Sequence, residues 1–503
     1  TSPKATDPMT LSPTMQASPS TQTAPQAAPG ARRIAKLGVV GAGAMGAGIA
    51  ALAASANVPV VLLDIPGDAK DRSGPAKAGL ERVKKSRPAA FMDPAKAALV
   101  RTGNTEDDLA LLADCDWIVE AIIEQPAPKQ QLFARLERLM KPGAIVTSNT
   151  SGIPMQVLLE GRSEAFRRNF FGTHFFNPPR YMHLLELIPT PETDPAAYAA
   201  VERFSQRILG KGIVKAKDAP GFIANRLGVF GMIQAMRLVE EFGLTIDEAD
   251  TLTGPLIGRA KSATFRTGDL SGLDVIGHVA SGLSQATGED FSLPNWVKAN
   301  LIEQKRFGDK TQGGFYRKQG KAIETLDVRT GQYGPQQKVE IPELAALAKL
   351  PLPERLRGAV RLPGSHGAFL RKMFALTSHY ALTMTPTLAW DIAAMDRAME
   401  WGYGWEAGPF RVMDMLGLDW TRDNLKEHGL DIPPLLDRAE KTFYRMGDDG
   451  EEVVSLDGGP RGGYAPAPVI AGRIALAELA QRGKVLAENT GARLLDVGAG
   501  VAC

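Results

Sequence analysis

Three closely spaced glycines constrain this chain more than any other feature of its sequence. Gly41, Gly43 and Gly46 follow a short apolar run at 37–40, and a run of small, helix-compatible residues comes after them. A second apolar run at 58–63 ends in Asp64. Glycines in this order permit a tight turn, a close approach of the backbone to a phosphate, and close packing of a helix on a strand. The segment therefore predicts strand, turn, helix and strand, with the helix N-terminus facing an anion.

The acidic residue at the end of the second strand selects among nucleotides. Asp64 is placed to accept hydrogen bonds from ribose hydroxyls, and its charge would repel a 2′-phosphate. We therefore predict NAD rather than NADP as the cofactor. A plain structural glycine turn stays open as the alternative, because 52 of the 503 residues are glycine. The binding positions that we predict in this region are Gly41, Gly43, Ala44, Met45, Gly46 and Asp64.

Composition and charge exclude several classes of protein. The chain is 44% hydrophobic and 23% charged, which is ordinary for a globular protein, and its net charge of +2 gives no argument for nucleic acid or a membrane surface. The uncharged run at 37–63 is too rich in small residues and too interrupted by Pro59 for a transmembrane segment. Two cysteines and histidines without ligand spacing predict neither disulfides nor a metal site. We expect a cytoplasmic protein.

The pattern of elements divides the chain into segments. Residues 1–33 are rich in Thr, Ser, Pro, Ala and Gln, which predicts disorder. Strands and helices alternate over 34–217, and this predicts an α/β unit with a doubly wound, mainly parallel sheet. Helical sequence fills 218–320, with a first helix predicted from Pro220 to Phe242. A linker with short structured pieces is predicted at 321–365, and a second helical segment at 366–483.

An internal repeat indicates that the two helical segments are related. Several residues recur 145 positions later, and two more recur with one residue of slippage. Amphipathic helices could mimic one or two of these matches, but hardly six in one register. The matched residues are Phe265, Arg266, Asp269 and 272–274 with Phe410, Arg411, Asp414 and 417–419, and Ile246 and Asp250 with Ile392 and Asp396.

A histidine and a glutamate in the α/β segment are the candidates for acid–base chemistry. His174 lies in the apolar run 170–176, and Glu186 lies in the apolar run 184–188. A carboxylate among apolar neighbours on a strand is costly unless it is paired, and two neighbouring strands could bring it beside the imidazole. Such a pair makes a base that works near neutral pH, as the oxidation of an alcohol by hydride transfer requires. A satisfied core histidine stays open from these residues alone.

Two further polar positions have both a functional and an ordinary interpretation. The run Ser148–Ser151, which includes Asn149, follows a predicted strand, where open α/β sheets bind their ligands; ordinary helix capping is the alternative. Asn225 lies in the first turns of the predicted helix after Pro220, where an asparagine is often only a surface residue.

Between residues 34 and 316 the motifs GAGAMGAGIA, IVEAIIE, SNTS, GTHFFNP, LLELI, KDAPGFIANR and KTQGGFY occur in this order. Taken together they resemble the 3-hydroxyacyl-CoA dehydrogenase family of fatty-acid β-oxidation. The resemblance implies a Rossmann-type NAD-binding domain followed by a mainly helical C-terminal-type domain, with an acyl-CoA substrate. It also implies His174 as the base, Glu186 as its charge partner, and Ser151 and Asn225 as ligands of the substrate oxygen. Glu124, Lys129 and Asn149 match positions on the cofactor side of the site.

The second repeat resembles the tandem C-terminal-type domains of multifunctional β-oxidation enzymes, so the whole fold is α/β plus all-α. Gly408–Phe410 is the turn usual in this family, and the first repeat departs from it with Ala263–Phe265. Residues 484–503 resemble the start of a crotonase-type enoyl-CoA hydratase domain, which predicts a longer native polypeptide. A homodimer or a complex with a thiolase subunit is the assembly that the resemblance implies.

Two other functions remain open at this point. The chain could be a dehydrogenase of a small hydroxy acid or sugar acid, since such enzymes share the cofactor domain and the HFFNP neighbourhood; the doubled helical segment argues against this. It could also be a catalytically silent acyl-CoA-binding scaffold, against which the presence of His174, Glu186, Ser151 and Asn225 argues.

Overall fold

The structure is a computed structural model that describes residues 32–448, 450–458, 463–469, 476–481, 483–498 and 501–503. The segment 1–33, for which the sequence predicts disorder, lies outside these residues except for Arg32 and Arg33. Within the described part of the chain, no helix combines the length and the apolar character that a membrane span needs.

An eight-stranded sheet with helices around it forms the first unit. Its strands are β1 (Leu37–Val40), β2 (Val60–Asp64), β3 (Val100–Asn104), β4 (Trp117–Glu120), β5 (Ile145–Ser148), β6 (Phe170–Phe175), β7 (Leu184–Ile188) and β8 (Gly212–Lys215). Its helices are α1 (Ala44–Ser55), α2 (Gly74–Lys84), α3 (Pro126–Leu139), α4 (Met155–Leu158), α5 (Glu164–Arg168) and α6 (Pro195–Arg207). The strand order is β3-β2-β1-β4-β5-β6-β7-β8, and the pairs are parallel except β6 with β7. The predicted doubly wound, mainly parallel sheet is confirmed.

Helices on both faces explain why the strands of this sheet are so apolar. Every residue of β1 and β4 is buried, which is the pattern of strands that are covered on both sides. The first helix, α1, is made mostly of small residues and is buried over most of its length, so that it packs close to β1. The sheet thereby brings the carboxyl ends of β1, β4, β5 and β6 to one edge.

The first helical unit follows the sheet. Its helices are α7 (Ala224–Phe242), α8 (Ile246–Thr253), α9 (Phe265–Ser271), α10 (Leu273–Thr287) and α11 (Asn295–Val297). Its strands are β9 (Tyr316–Gln319), β10 (Ala322–Leu326) and β11 (Tyr333–Pro335), which form an antiparallel sheet.

Short 3-10 or π turns occur in both the sheet unit and the first helical unit. They lie at Pro94–Leu99, Leu109–Leu112, Pro255–Ile257, Lys298–Ile302 and Asp309–Thr311.

The long helix α7 begins later than the sequence predicts. The predicted start was Pro220, whereas the structure begins the helix at Ala224. The backbone between them cannot be helical, because Gly221 has φ +77° and Phe222 has φ +48°. A left-handed conformation at a phenylalanine is not visible in the sequence, and this is why the prediction was wrong by one turn.

The second helical unit packs on the first and on the sheet. Its helices are α12 (Leu344–Leu347), α13 (Leu352–Ala359), α14 (Gly364–Leu388), α15 (Ile392–Tyr403), α16 (Pro409–Leu416), α17 (Leu418–Glu427) and α18 (Pro434–Asp437). Its strands are β12 (Tyr444–Gly447), β13 (Gly450–Val454) and β14 (Tyr464–Pro466). Helix α14 packs along α7, and α15 packs on α7, β7 and β8.

The segment 321–365, predicted as a linker, contains folded structure, and its boundary at 320 is wrong. Strands β9 and β10 form one hairpin around Gly320, whose φ is +62°, so the boundary falls inside a hairpin. Strand β11 and helices α12 and α13 also lie in this segment. Glycines and prolines mark turns as well as linkers, and the sequence pattern alone did not separate the two.

Two aspartates in each helical unit, at positions that the sequence repeat matches, make the same hydrogen bonds in both units, and we call each such set of bonds an aspartate clamp. Asp250 accepts the backbone N–H of Phe265 (2.7 Å) and the hydroxyl of Tyr316 (2.9 Å). Asp396 likewise accepts the N–H of Phe410 (2.8 Å) and the hydroxyl of Tyr444 (2.8 Å). The second clamp joins Asp269 to the N–H groups of Phe315 and Tyr316, and Asp414 to those of Phe443 and Tyr444. Each clamp ties helices to the small sheet of its own unit.

The C-terminal residues form a small separate sheet. Helix α19 (Leu476–Gln481) precedes strands β15 (Val485–Glu488), β16 (Arg493–Gly498) and β17 (Val501–Ala502), which pair antiparallel. Most of the described side chains in these strands are exposed. That this segment starts a crotonase-type domain stays a prediction.

Candidate active site

The glycine loop has the geometry that a dinucleotide needs. Gly41 has φ +102°, and a Cβ there would lie 2.3 Å from the carbonyl oxygen of Ala121. A Cβ on Gly46 would lie 1.8 Å from the carbonyl oxygen of Gly41. Gly43 differs, because a Cβ built on it meets nothing within 4 Å, and it faces open space at the N-terminus of α1. Gly41 and Gly46 are therefore required by the fold, and Gly43 leaves room for a ligand. Ala44 and Met45 form the first turn of the same helix.

Asp64 lies beside this loop at the end of β2. Its carboxylate accepts the N–H of Ala42 (2.8 Å) and its own neighbour's N–H at Ile65 (2.7 Å). These bonds fix the carboxylate next to the glycine turn, which is where the sequence places the ribose-binding group. The open space at Gly43, the N-terminus of α1 and the carboxylate of Asp64 are the chemical groups that would fit NAD.

His174 and Glu186 form a buried pair on adjacent strands. The register of β6 and β7 sets these two residues directly opposite each other, and Nδ1 of His174 lies 2.7 Å from Oε2 of Glu186. Glu186 is 0% exposed and His174 is 4% exposed. The rings of Phe176 and Phe222 lie 4.5 and 5.5 Å from the imidazole, between centroids. The structure thus brings together the two residues that the sequence could only suggest as a pair.

The start of helix α7 completes the surroundings of Glu186. Oε1 of Glu186 accepts the backbone N–H of Ile223 (3.1 Å) and of Ala224 (2.9 Å). The unpaired N–H groups at a helix N-terminus stabilise a negative charge. An ionised carboxylate can only accept hydrogen bonds, so the neutral imidazole that satisfies this contact is the tautomer with its proton on Nδ1, and its Nε2 is then an acceptor.

The other predicted site residues lie at the same edge of the sheet with different contacts. Oδ1 of Asn149, just after β5, accepts the N–H of Phe175 (2.9 Å) and so ties the ends of β5 and β6 together. Ser151 donates its backbone N–H to Glu124 (2.8 Å), and its side chain is partly exposed. Asn225 lies in the first turn of α7, one residue after the N–H group that Glu186 accepts, and it is partly exposed.

A buried ion-pair network at the end of β4 includes a residue that the sequence analysis missed. Glu120 is fully buried and accepts from the ammonium of Lys129 (2.5 Å), the hydroxyl of Ser148 (2.5 Å) and the N–H of Ile122 (2.8 Å). Burial raises the pKa of Glu120, and the Lys129 ammonium opposes this shift. A carboxylate that ends a buried apolar strand, in the run WIVE, was the signal that could have found it.

Lys129 links this network to the loop after β5. Its Nζ lies 3.3 Å from Glu124, whose other oxygen accepts the hydroxyl of Thr150 (2.5 Å). The predicted residues Glu124 and Lys129 therefore belong to one hydrogen-bonded group with the Ser148–Ser151 loop. The group fixes this loop next to the glycine turn, because β4 is the neighbour of both β1 and β5.

Comparison with known proteins agrees with the geometry. Residues 36–219 match the family model of the 3-hydroxyacyl-CoA dehydrogenase NAD-binding domain, and residues 221–318 match that of the 3-hydroxyacyl-CoA dehydrogenase C-terminal domain. The predicted NAD-binding domain is thereby confirmed.

Three curated relatives show how far the similarity extends. A probable 3-hydroxyacyl-CoA dehydrogenase of Deinococcus radiodurans is 54% identical over 57% of this chain and 83% of its own length. A probable 3-hydroxyacyl-CoA dehydrogenase of Bacillus subtilis is 39% identical over 94% of this chain, which spans only 62% of that relative. A putative fatty acid oxidation complex trifunctional enzyme of Rickettsia felis is 34% identical over 80% of this chain and 56% of its own length. On its glycine loop, its site and these matches, the chain belongs to the 3-hydroxyacyl-CoA dehydrogenase family.

Proposed function

We propose that this chain oxidises (S)-3-hydroxyacyl-CoA to 3-oxoacyl-CoA with NAD, using His174 as the general base. The observation that carries the proposal is the contact between Nδ1 of His174 and Oε2 of Glu186, at 2.7 Å, on the sheet edge that also carries the glycine loop. Membership in the family supports hydroxyacyl-CoA as the substrate class. The contact between His174 and Glu186 supports the acid–base chemistry.

The proton of the substrate hydroxyl has a defined destination in this scheme. With Nδ1–H donated to Glu186, the free Nε2 of His174 accepts the proton from the oxygen on C3. The imidazolium that results is stabilised by the Glu186 carboxylate, which is itself held by the N–H groups of Ile223 and Ala224. The C3–H bond then breaks as the C3–O bond becomes a carbonyl.

The residues proposed for the cofactor lie at the ends of four neighbouring strands, β2, β1, β4 and β5, and on helix α3. Gly43 and the N-terminus of α1 would hold the pyrophosphate, Asp64 the adenosine ribose, and Glu124, Lys129 and Asn149 the nicotinamide side. NAD, when bound, supplies the acceptor for the hydride that leaves C3. Ser151 and Asn225 are proposed to orient the substrate oxygen toward Nε2.

The test is NADH formation with a panel of substrates. Wild-type protein is expected to reduce NAD with (S)-3-hydroxyacyl-CoA thioesters and to be much slower with free hydroxy acids, sugar acids and the (R)-thioesters. NADP in place of NAD is expected to give little activity, because Asp64 repels the additional phosphate. Turnover of free hydroxy acids instead would support the small-acid dehydrogenase, and thioester binding without turnover would support a silent scaffold. Either result would refute the proposal.

We also propose that this dehydrogenase works in fatty-acid oxidation as one part of a larger multifunctional enzyme. Two observations support this: the tandem helical unit, and the likeness to a longer relative named as a trifunctional fatty acid oxidation enzyme. The residues from 484 onward are proposed to begin a hydratase unit, and a thiolase subunit or a second copy is the proposed partner. The chain of 503 residues should then oxidise hydroxyacyl-CoA without hydrating crotonyl-CoA. Robust hydration by this chain would contradict the proposal.

A further inference from the structure

A buried arginine joins the two helical units next to the proposed site. Arg226, 2% exposed, lies in the first turn of α7, and its Nε donates to the hydroxyl of Tyr380 on α14 (2.5 Å). The Tyr380 hydroxyl in turn donates to Glu289 (2.7 Å), which also pairs with the Arg226 guanidinium. Tyr380 belongs to the second unit, whereas Arg226 and Glu289 belong to the first.

The same arginine holds the segment that leads into helix α7. Its Nη1 donates to the carbonyl oxygen of Pro220 (3.1 Å), directly before the two left-handed residues Gly221 and Phe222. The next residues reach the proposed base and its partner: the Phe222 ring packs on His174, and Ile223 donates its N–H to Glu186. Two hydrogen bonds therefore connect the Tyr380 hydroxyl to a strained turn whose far end contacts His174 and Glu186.

The packing of the Tyr380 ring fixes the position of its hydroxyl. Its ring stacks face to face on Phe230 of α7, with 3.8 Å between centroids and 6° between the ring planes. Because Phe230 lies on the same helix as Arg226, the stack sets both the distance and the direction of the hydroxyl. A phenylalanine at position 380 would keep this stack and lose only the oxygen.

The second unit also holds the segment just before Pro220. Ala216 pairs with Ala389 in an isolated antiparallel bridge, and the N–H of Lys217 donates to the carbonyl of Leu388 (2.9 Å). The Lys217 ammonium lies 4.7 Å from the centre of the Trp390 ring. The connection between the sheet and the first helical unit is thus held at both ends by residues of the second unit.

We propose that the second helical unit holds the 216–226 connection in its active conformation, and that Tyr380 is the positioning residue that does so at the start of α7. Tyr380 touches neither His174 nor Glu186 in this assignment; it acts through Arg226. The proposal rests on the proposed function for its kinetic consequence but not for its structural one.

The kinetic test compares Tyr380→Phe with a matched control, Tyr464→Phe. Tyr464 lies in the same unit, and its hydroxyl donates only within that unit, to the carbonyl of Thr442. Tyr380→Phe is expected to lower kcat about tenfold, the size of effect expected when a hydrogen bond to a charged group is lost, and to leave NAD affinity unchanged. Tyr464→Phe is expected to keep the wild-type kcat. An equal kcat for both variants would overturn the proposal.

The structural test measures amide hydrogen exchange and needs no substrate. In Tyr380→Phe, the exchange rate over residues 218–226, which include the Ile223 and Ala224 amides, is expected to rise about tenfold. The amides of helix α14, which carries the substitution, are expected to keep their protection. Unchanged exchange over 218–226 would overturn the proposal. If the wild-type protein failed to oxidise hydroxyacyl-CoA, the proposed function would fall, and the exchange result would still decide whether Tyr380 holds the connection.

Discussion

Each helical unit has its own aspartate clamps, and these correspond between the units, but the two units differ at the start of their long helices. When Ile246 is aligned with Ile392, Ala224 corresponds to residue 370 and Asn225 to Arg371. Helix α7 begins at Ala224, whereas α14 begins at Gly364, six residues before the matching position. The second helix therefore continues through the point at which the first one starts.

This difference distinguishes the features that both helical units need for folding from the feature that only the proposed chemistry needs. Inside α14 the N–H groups at 369 and 370 bond to carbonyls of the preceding turn, as in any helix interior. At the start of α7 the N–H groups of Ile223 and Ala224 lie before the first carbonyl that such a helical bond could reach, and Glu186 accepts them. We therefore expect the aspartate clamps, which both units have, to serve folding, and the helix start, which only the first unit has among the described residues, to serve the proposed site.

The largest effect is expected from removal of the proposed base on the side of the sheet that faces α7. His174→Gln should lower kcat by about 10²- to 10⁴-fold, the usual contribution of a general base, and leave NAD affinity intact because different residues bind the cofactor. Steady-state kinetics and NAD titration measure both. His428→Gln is the matched control, because His428 lies in the second unit, where its Nδ1 hydrogen-bonds to the carbonyl of Asn424 (2.9 Å). Near-normal turnover of the His174 variant would contradict the assignment.

The second expected effect concerns Glu186, the buried carboxylate that accepts the N–H groups at the start of α7. In Glu186→Gln the side-chain carbonyl can still accept from Ile223 and Ala224, which turns the amide NH₂ toward His174. A donor there favours the imidazole tautomer with its proton on Nε2, which cannot accept from a substrate hydroxyl. We expect kcat to fall on the order of 10²-fold at neutral pH, with an unchanged melting temperature as the check on folding. A kcat within threefold of the wild type would show that the contact of Glu186 with the start of α7 has no role in the proposed chemistry.

Much of this site could be predicted from the sequence, and the rest depends on contacts that local patterns do not encode. The glycine loop and Asp64 follow from residue types at fixed spacings, whereas the sequence suggests the pairing of His174 with Glu186 and leaves a satisfied core histidine open. The antiparallel pairing of β6 and β7 could also have been inferred, since eight residues separate these strands and a parallel crossover needs a dozen or more. The left-handed Phe222 and the hydroxyl of Tyr380, brought from 154 residues away, arise only from tertiary packing.

The third prediction tests whether a clamp of the second unit is only structural. Burial, and next to it the charge of Glu400, raises the pKa of Asp396 to about 7 from its usual value of 3.8. Between pH 3.8 and pH 7, Asp396 is therefore protonated in the folded state, whereas the unfolded chain has released this proton. The contribution of Asp396 to the free energy of unfolding is present at acid pH and is lost as the pH rises through 7.

Asp396→Asn should flatten that pH dependence and leave kcat unchanged. The variant removes the titrating group and also one acceptor, so it is expected to destabilise the fold by about 1–3 kcal/mol. Urea denaturation midpoints at several pH values between 4 and 8 measure the stability. A slope equal to that of the wild type, or a kcat lowered as far as in Glu186→Gln, would show that the clamps and the site are not separate.

The smallest expected effect comes from one substitution made at the two helix starts. Gly221 and Gly364 both have positive φ, +77° and +62°, so alanine at either position is strained by about 1–2 kcal/mol. A Cβ on Gly364 meets nothing within 4 Å, whereas one on Gly221 would lie 2.7 Å from Cδ2 of Leu283, which must move aside. Both variants should therefore lose a modest amount of thermal stability, and Gly221→Ala should lose the larger amount because Leu283 must also move. Only Gly221→Ala should also lower kcat, by up to about tenfold, because its strain shifts the turn that carries Phe222 and Ile223 to His174 and Glu186. Equal kcat values for the two variants would mean that the start of α7 has no role that the start of α14 lacks.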